Sequence, residues 1–402
     1  MIGQQRTYGR RILLASIRQN SPIARIDLSQ NTGISRATVT TVTAELIRAG
    51  LIEEVPAQGG EMARGRPRVD LKIRGAAHLV AGIKVAHRSL SLVLMDFEGN
   101  QLAEHSHKME QSTFSSPALV QLLAAALQAM LDPLGKTLSD LSGVGIGIAG
   151  IVDVMQGLVH WSPSLKDRNV NLRSEIEAAL GVPVFVDNDA NLVAMAEKRF
   201  GLGREATDFI VVTIESGVGM GIVINNEIYR GTRGCGAEFG HTKVHLDGAL
   251  CRCGQRGCLE AYVADYALLR EASVTSSGGE HSDAATDERR IEALLQRAHD
   301  GDPLASNIVN RAGRMFAMGL ANIVNIFDPQ IIVLAGERMH SNHLYAEEVI
   351  AGIQNSIVQV DQSPPEVVIH RWGDLMWAKG AAAYALEGVE DMAVAALRAN
   401  ET

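Results

Sequence analysis

Near residue 75 the hydrophobic rhythm of this 402-residue chain changes, from the 3.6-residue period of helices to short β-rich runs alternating with Ala- and Leu-rich stretches. No single layer type satisfies both rhythms, so the chain must divide into a small helical N-terminal module and a larger α/β body. Before the change, Ile12, Leu13, Leu14 and Ile17 are spaced for a helix over residues 10–20, and Ile26 and Leu28 face inward from a second over residues 24–30. Asn31-Thr32-Gly33-Ile34 reads as a turn. Ser35 then reads as an N-cap, opening a helix to residue 50 that buries Val39, Val42, Leu46 and Ile47. Two β-like runs, residues 51–55 and 69–73, flank a stretch broken by Gly59, Gly60, Gly65 and Pro67. This spacing predicts a winged helix-turn-helix over residues 1–75.

The outer face of the third helix shows Arg36, Thr38, Thr40, Thr41 and Thr43 beside Ser35, short donors and a guanidinium suited to phosphates and base edges in a major groove. Thr is a poor helix former, so their number points to surface chemistry overriding propensity. In the wing, Arg64, Arg66 and Arg68 lie on an extended Gly-Pro segment suited to the negative potential of an A·T-rich minor groove. A net charge of −9 argues against a nucleic-acid partner until it is divided along the chain. Residues 1–74 hold twelve Lys or Arg against six acids, +6, and the rest hold 25 against 40, −15. A basic reader joined to an acidic body has this asymmetry.

The whole chain is 46 % apolar, 21 % charged and 4 % aromatic, which excludes global disorder and collagen-like structure. No run of 18 uninterrupted apolar residues exists, and the first six residues lack an apolar signal core, so a cytoplasmic location without membrane contact is expected. Runs at residues 79–85, 90–96, 144–149, 182–187, 209–214 and 221–224 read as strands, and residues 119–131 as a helix. Gly-rich stretches at 143–150 and 215–221 fit either a tight connection or a ligand loop. Residues 273–288, rich in Ser, Gly and Asp, read as an exposed loop.

The most specific chemistry lies between residues 238 and 260. His241 is followed ten residues later by Cys251-Arg252-Cys253-Gly254-Gln255-Arg256-Gly257-Cys258, one imidazole and three thiolates, a set suited to tetrahedral zinc. Four protein ligands leave no place for an activated water, so one structural zinc per chain is expected. Cys235 falls outside this spacing and reads as a small packed side chain. Around the knuckle stand acids that zinc does not need, Glu238 and Glu260, and Asp187-Asn188-Asp189-Ala190-Asn191 caps a strand. Carboxylates and amides gathered at strand ends suit the vicinal hydroxyls of a sugar. Singly each also fits a cap or turn, the reading preferred for Asn191.

These pieces together resemble the ROK family (repressors, open reading frames, kinases), and within it the branch of N-acetylglucosamine, glucose and xylose repressors. The match comprises Gly145 to Gly150 with Asp153, residues 186–191, Gly217-Val218-Gly219-Met220-Gly221, Glu238-Phe239-Gly240-His241, the Cys251 to Glu260 knuckle and residues 325–336. The resemblance implies an actin-like, hexokinase-like α/β domain of two lobes over residues 76–392, followed by a tail at 393–402. It also implies sugar contacts from Asn188, Asp189, Glu238, His241 and Glu260, with His241 shared between zinc and sugar. In family kinases the acid matching Asp189 is the general base. Here, however, the Asp-x-Gly-Gly-Thr phosphate loop is replaced by Gly82-Ile83-Lys84-Val85-Ala86, and Glu215-Ser216-Gly217 replaces Gly-Thr-Gly. Gly236-Ala237 replaces the usual Ala-Gly before Glu238, and Pro163-Ser164-Leu165 the usual Pro-Asn-Leu. Phosphoryl transfer depends on positioning and charge stabilisation, so these losses predict no enzyme. The expectation is a sugar-responsive repressor binding operator DNA as a homodimer or tetramer, with a sugar or sugar phosphate as effector. The alternatives are an ATP-dependent sugar kinase with a fused DNA-binding domain, and a regulator whose signal is a phosphotransferase-system protein.

Overall fold

The computed structural model describes residues 2–57, 69–214, 217–275, 284–336, 347–358, 363–370 and 375–399. They divide into two compact units, one of Met1–Gly147, Pro163–Val186 and Ala381–Thr402, the other of Ile148–Ser162 and Asp187–Gly380.

The first unit opens with α1 (Ile2–Gln19), β1 (Ile23–Ala24), α2 (Arg25–Thr32) and α3 (Arg36–Arg48), then β2 (Ile52–Pro56) and β3 (Val69–Ile73). Leu13, Leu14, Ile17, Leu28, Val39 and Leu46 are fully buried at helical spacing and form the core of the three helices. Gly33 ends α2 at φ 69°. The two wing strands pair antiparallel, and β1, not anticipated from the sequence, pairs with β3 to complete a sheet of order β1-β3-β2. Two details differ from expectation. Ile26 is 47 % exposed, because α2 turns only Leu28 inward, and Thr43 is fully buried.

Next come β4 (Leu79–Val85), β5 (Ser89–Asp96), β6 (Gln101–Lys108), α4 (Ser116–Leu131) and β7 (Gly143–Ile148). The chain leaves for a hairpin of the other unit, β8 (Ile151–Asp153) and β9 (Leu158–Trp161), and returns through α5 (Leu172–Leu180) into β10 (Val184–Asn188). The sheet order is β10-β7-β4-β5-β6. Among the described residues, Ser116–Leu134 is one helical stretch long and apolar enough to cross a membrane. Here Leu119, Leu123, Leu127 and Leu131 are fully buried. The glycines at 143–148 lie inside β7 and not in a loop: a Cβ on Gly145 would stand 1.8 Å from the Ala381 carbonyl oxygen of the C-terminal helix (Met376–Ala399). That helix runs through the first seven residues of the segment expected as a tail.

The second unit holds α6 (Asp189–Phe200), β11 (Phe209–Ile214), β12 (Val218–Ile224), β13 (Glu227–Tyr229), the cysteine knuckle, α7 (Glu260–Val263), α8 (Asp265–Thr275), α9 (Ala284–His299), α10 (Pro303–Phe327), β14 (Ile331–Ala335), α11 (Glu347–Gln354) and β15 (Glu366–Ile369). The supposed exposed loop at 273–288 is therefore helical at both ends where described. The sheet order is β13-β12-β11-β14-β15, with β11, β14 and β15 parallel and β12 antiparallel to both neighbours. Numbered within its own sheet, each five-stranded sheet has the order 3-2-1-4-5, so the body is built twice on one plan. Alternation along β11 and β12 sorts the layers. Ile210, Val212, Ile214, Val218, Met220 and Ile222 share one core with Phe239, Cys251, Cys258, Leu259 and Phe316 of α10. On the opposite face Gly221 lets α6 approach, its added Cβ falling 2.6 Å from the Ala190 carbonyl oxygen. The knuckle thus rests on a rigid sheet.

Candidate functional site

The knuckle is a pair of tight turns pinned by bridges Lys243↔Cys258 and Leu250↔Arg256 and by the Cys251 N–H donating to the Gln255 carbonyl (2.8 Å). Gly257 sits at φ 77° with no room for a side chain, since a Cβ would meet the His245 carbonyl oxygen at 1.8 Å. These turns bring His241, Cys251, Cys253 and Cys258 together with all ligand atoms within 4.8 Å of one another. Cys253 Sγ and Cys258 Sγ are 3.7 Å apart, as are Cys251 Sγ and His241 Nδ1. A tetrahedral ion with bonds of ~2.3 Å to sulfur needs sulfur–sulfur edges of ~3.7 Å. The four side chains therefore fit a metal ion with every position filled by protein. Lys243 Nζ donates to Cys258 Sγ (3.0 Å), an interaction that raises the Lys243 pKa and places a cation beside the thiols. Cys235 stands apart, its thiol directed at the Arg233 and Val152 carbonyls (3.3 and 3.6 Å).

The acids converge on the same loop. Phe239 N–H donates to the Ala237 carbonyl (2.7 Å) across Glu238, whose φ −71° and ψ 57° make it the centre of an inverse γ-turn. Ala237 before it takes φ 69°, the left-handed region that an L side chain resists, so the turn is kept at the cost of strain. Glu238 is 44 % exposed, yet partial desolvation and then the Glu260 and Asp189 carboxylates push it up to about 7, which marks three acids facing one space. His241 stands between the two centres, Nδ1 toward Cys251 and Nε2 4.0 Å from Glu238 Oε2. Glu260, the first residue of α7, takes the Val218 N–H on Oε2 (3.4 Å) and the Tyr266 hydroxyl on Oε1 (3.3 Å). Tyr266 had no signal in the sequence, since nothing in the knuckle spacing points eight residues beyond Cys258.

Asn188 and Asp189 stand where β10 passes into α6. Asn188 Oδ1 caps the helix through Ala190 N–H (2.9 Å) and its Nδ2 donates to the Gly150 carbonyl (2.9 Å), so much of its polar capacity holds the strand end in place. Asp189 lies in the first turn of α6, where the helix dipole favours a carboxylate. Asn191 is buried and donates to Asp187 Oδ1 (2.9 Å), and fully buried Asp187 is paired with Arg230 Nε (2.8 Å). Asn191 is thus a buried positioning amide inside the helix, not a cap.

In the reader, Ser35 accepts the Thr38 N–H (3.2 Å) and caps α3, and Arg36, Thr38, Thr40 and Thr41 are exposed on one face. Thr40 and Thr41 donate back to the Arg36 and Ala37 carbonyls (2.9 and 3.1 Å). Thr43 leaves that face: its hydroxyl accepts Arg25 Nε (3.2 Å) inside the module. Arg64, Arg66 and Arg68 lie outside the described residues, as do Glu215 and Ser216. Residues 82–85 continue β4 without a loop, paired to β5, and Lys84 is buried.

The comparisons with known proteins agree with this construction. The ROK family model matches residues 80–387, and a winged helix-turn-helix DNA-binding model matches residues 7–53. A curated xylose repressor from Bacillus spizizenii is 30 % identical over 86 % of this chain and 86 % of its own. A solved ROK family transcriptional regulator, a homologue of the Escherichia coli MLC protein, is 26 % identical with a TM-score of 0.81, covering 99 % of this chain and all of the other. A ROK family glucokinase from Streptomyces griseus, solved with glucose and AMPPNP, is 28 % identical with a TM-score of 0.64, covering 77 % of this chain and all of the other. The second lobe of an α/β, hexokinase-like body carries the His/Cys knuckle, the first carries the winged helix-turn-helix module, and the chain is a member of the ROK family with an N-terminal winged helix-turn-helix.

Proposed function

We propose that the chain is a sugar-responsive transcriptional repressor of carbohydrate uptake or catabolism genes, acting in the cytoplasm as a homodimer or tetramer. The observation that carries this reading is the joining, in one chain, of a capped polar recognition helix to a cluster of acids on a metal knuckle. In this reading residues 1–75 read the operator through Ser35, Arg36, Thr38, Thr40 and Thr41, with Arg64, Arg66 and Arg68 from the wing. The body that follows takes a sugar or sugar phosphate on Asn188, Asp189, Glu238, His241 and Glu260.

His241, Cys251, Cys253 and Cys258 would hold one zinc per chain, which crosslinks the loop and supplies no reactive water. His241 Nε2 and the Glu260 carboxylate then stand as fixed donor and acceptor for ligand hydroxyls. Glu238 adds a further carboxylate acceptor 4.0 Å from His241 Nε2. Recognition helices pair at half-sites roughly 34–36 Å apart, so a ligand that favours another spacing releases DNA. A differential affinity of about 10⁴-fold moves such an equilibrium from 1:99 to 99:1.

The alternative, an ATP-dependent sugar kinase with a fused DNA-binding domain, would use Asp189 as its general base. What weighs against it is the sequence, in which Gly82-Ile83-Lys84-Val85-Ala86 stands where a kinase carries its Asp-x-Gly-Gly-Thr loop, and Lys84 is buried within β4. The deciding experiment uses the zinc-loaded full chain and a panel of D-xylose, D-glucose, N-acetylglucosamine and their phosphates. A sugar at 100 times its Kd should add about 2.7 kcal/mol to stability and release the chain from genomic fragments it selects. ATP turnover that vanishes in Asp189→Ala would overturn the reading in favour of the kinase. DNA release by cell extract but by no purified sugar would assign the signal to a partner such as a phosphotransferase-system protein.

A further inference from the structure

Cys251 Sγ lies 3.6 Å from Glu260 Oε1. Once Cys251 is a metal ligand it is a thiolate and has no S–H to donate, so two anionic acceptors face each other across this gap. A hydrogen must come from elsewhere. The Tyr266 hydroxyl, at the start of α8, is 3.3 Å from Glu260 Oε1 and 3.6 Å from Cys251 Sγ. Its ring lies under the Arg252 guanidinium, 3.9 Å from ring centroid to Cζ, so the knuckle itself clamps the phenol in place. Arg252 stands between two of the thiols, and Val218 N–H holds the other carboxylate oxygen.

We propose that Tyr266 is a positioning residue whose single hydroxyl proton bridges the Cys251 thiolate and the Glu260 carboxylate, coupling the metal site to the ligand site. This rests on the reading of Glu260 as a ligand contact. The bridge holds the carboxylate plane so that its remaining lone pairs face the ligand. Because the phenol has one proton, any ligand hydroxyl that donates to Oε1 frees that proton toward sulfur. Ligand occupancy is thereby felt at the metal, and by reciprocity metal occupancy is felt by the ligand.

The test uses the full chain, zinc-loaded for binding and cobalt-loaded for spectroscopy, with D-xylose, D-glucose and N-acetylglucosamine as probes. Tyr266→Phe keeps the ring and the Arg252 stack while removing the proton. It should retain one metal per chain, weaken the best of these sugars about tenfold, and shift the sulfur-to-cobalt charge-transfer band in the absence of any sugar. Adding sugar should move that band in the parent protein and leave it still in the variant. Glu260→Gln is the second variant: removing the carboxylate charge turns the Tyr266 proton to sulfur and should also shift the sugar-free band, but only when Tyr266 is present. An unmoved band in both variants overturns the bridge. If Glu260→Gln binds sugar as the parent does while its sugar-free band is shifted, the bridge stands and the sugar role of Glu260 falls; a band in Glu260→Gln that sugar still moves as in the parent overturns the bridge. Lost sugar binding in Glu260→Gln with none in Tyr266→Phe, and a silent band, keeps the site and removes Tyr266 from it.

Discussion

Ala237 carries conformational tension in the loop that leads to the cysteine knuckle. Its φ of 69° is a left-handed conformation that an L side chain resists, and it is followed directly by the γ-turn that aims Glu238. Ala237→Gly relieves that strain while adding freedom to the unfolded chain, so the net gain should be about 0.5–1 kcal/mol. Urea unfolding of the zinc-loaded chain measures it, and a destabilised variant would show that the turn is not strained. At this scale the types of the functional residues were legible, because three thiols and an imidazole at fixed spacing have few other uses. Their roles were less so. Asn188 divides its amide between helix and strand end, Thr43 turns inward, and Tyr266 reaches the site from a helix that no motif marks.

Between elements, the packing of α1 on α3 hides an ion pair that periodicity does not announce. Arg10 is 1 % exposed and gives two hydrogen bonds to Glu45 (3.0 and 2.8 Å), with Arg6 on the other carboxylate oxygen. Burial alone would raise the Glu45 pKa, but the hydrogen bonds and charges of the two arginines outweigh it and hold the carboxyl below its ordinary value. A group depressed on folding stabilises fully above the unfolded value near pH 4.5, and the contribution fades as pH falls through the lower folded value. Glu45→Gln should therefore cost about 3 kcal/mol at pH 7, since it removes the opposite charge that the buried Arg10 guanidinium faces. Hydrogen exchange of the α1 and α3 amides should show that gap narrowing below pH 4; a gap constant with pH would rule out titration of Glu45 as its source. Strands β4 and β11 were legible to the residue because both are near-continuous apolar runs. The edge strand β6, half polar and exposed, was not.

At the scale of the whole molecule, the reader is joined to the first lobe by more than the chain. Arg18 of α1 gives one hydrogen bond to the Phe97 carbonyl and another to Glu390 of the C-terminal helix (2.9 Å), its guanidinium 4.9 Å from the Phe97 ring centroid. Arg18 and Glu390 are each 13 % exposed, and Arg11 adds a surface pair with Asp391 (2.9 Å). Arg18→Ala should destabilise the docked reader by about 3 kcal/mol, because Glu390 loses its partner in a confined site. Calorimetry should then show the reader melting ahead of the lobe, and an unchanged single transition would mean the reader is held by other contacts. The basic 74 residues and the acidic remainder were visible in the sequence as +6 and −15, and they place salt-sensitive DNA affinity in the reader. What the sequence by itself determined was which chemistry this protein carries: local spacing decides helix, strand, cap and metal ligand, and those depend on near neighbours. Only the tertiary structure decided how the pieces are joined. Glu260 with Tyr266 and Cys251, Arg10 with Glu45, and Arg18 with Glu390 and Phe97 are contacts between segments whose meeting depends on how the layers pack.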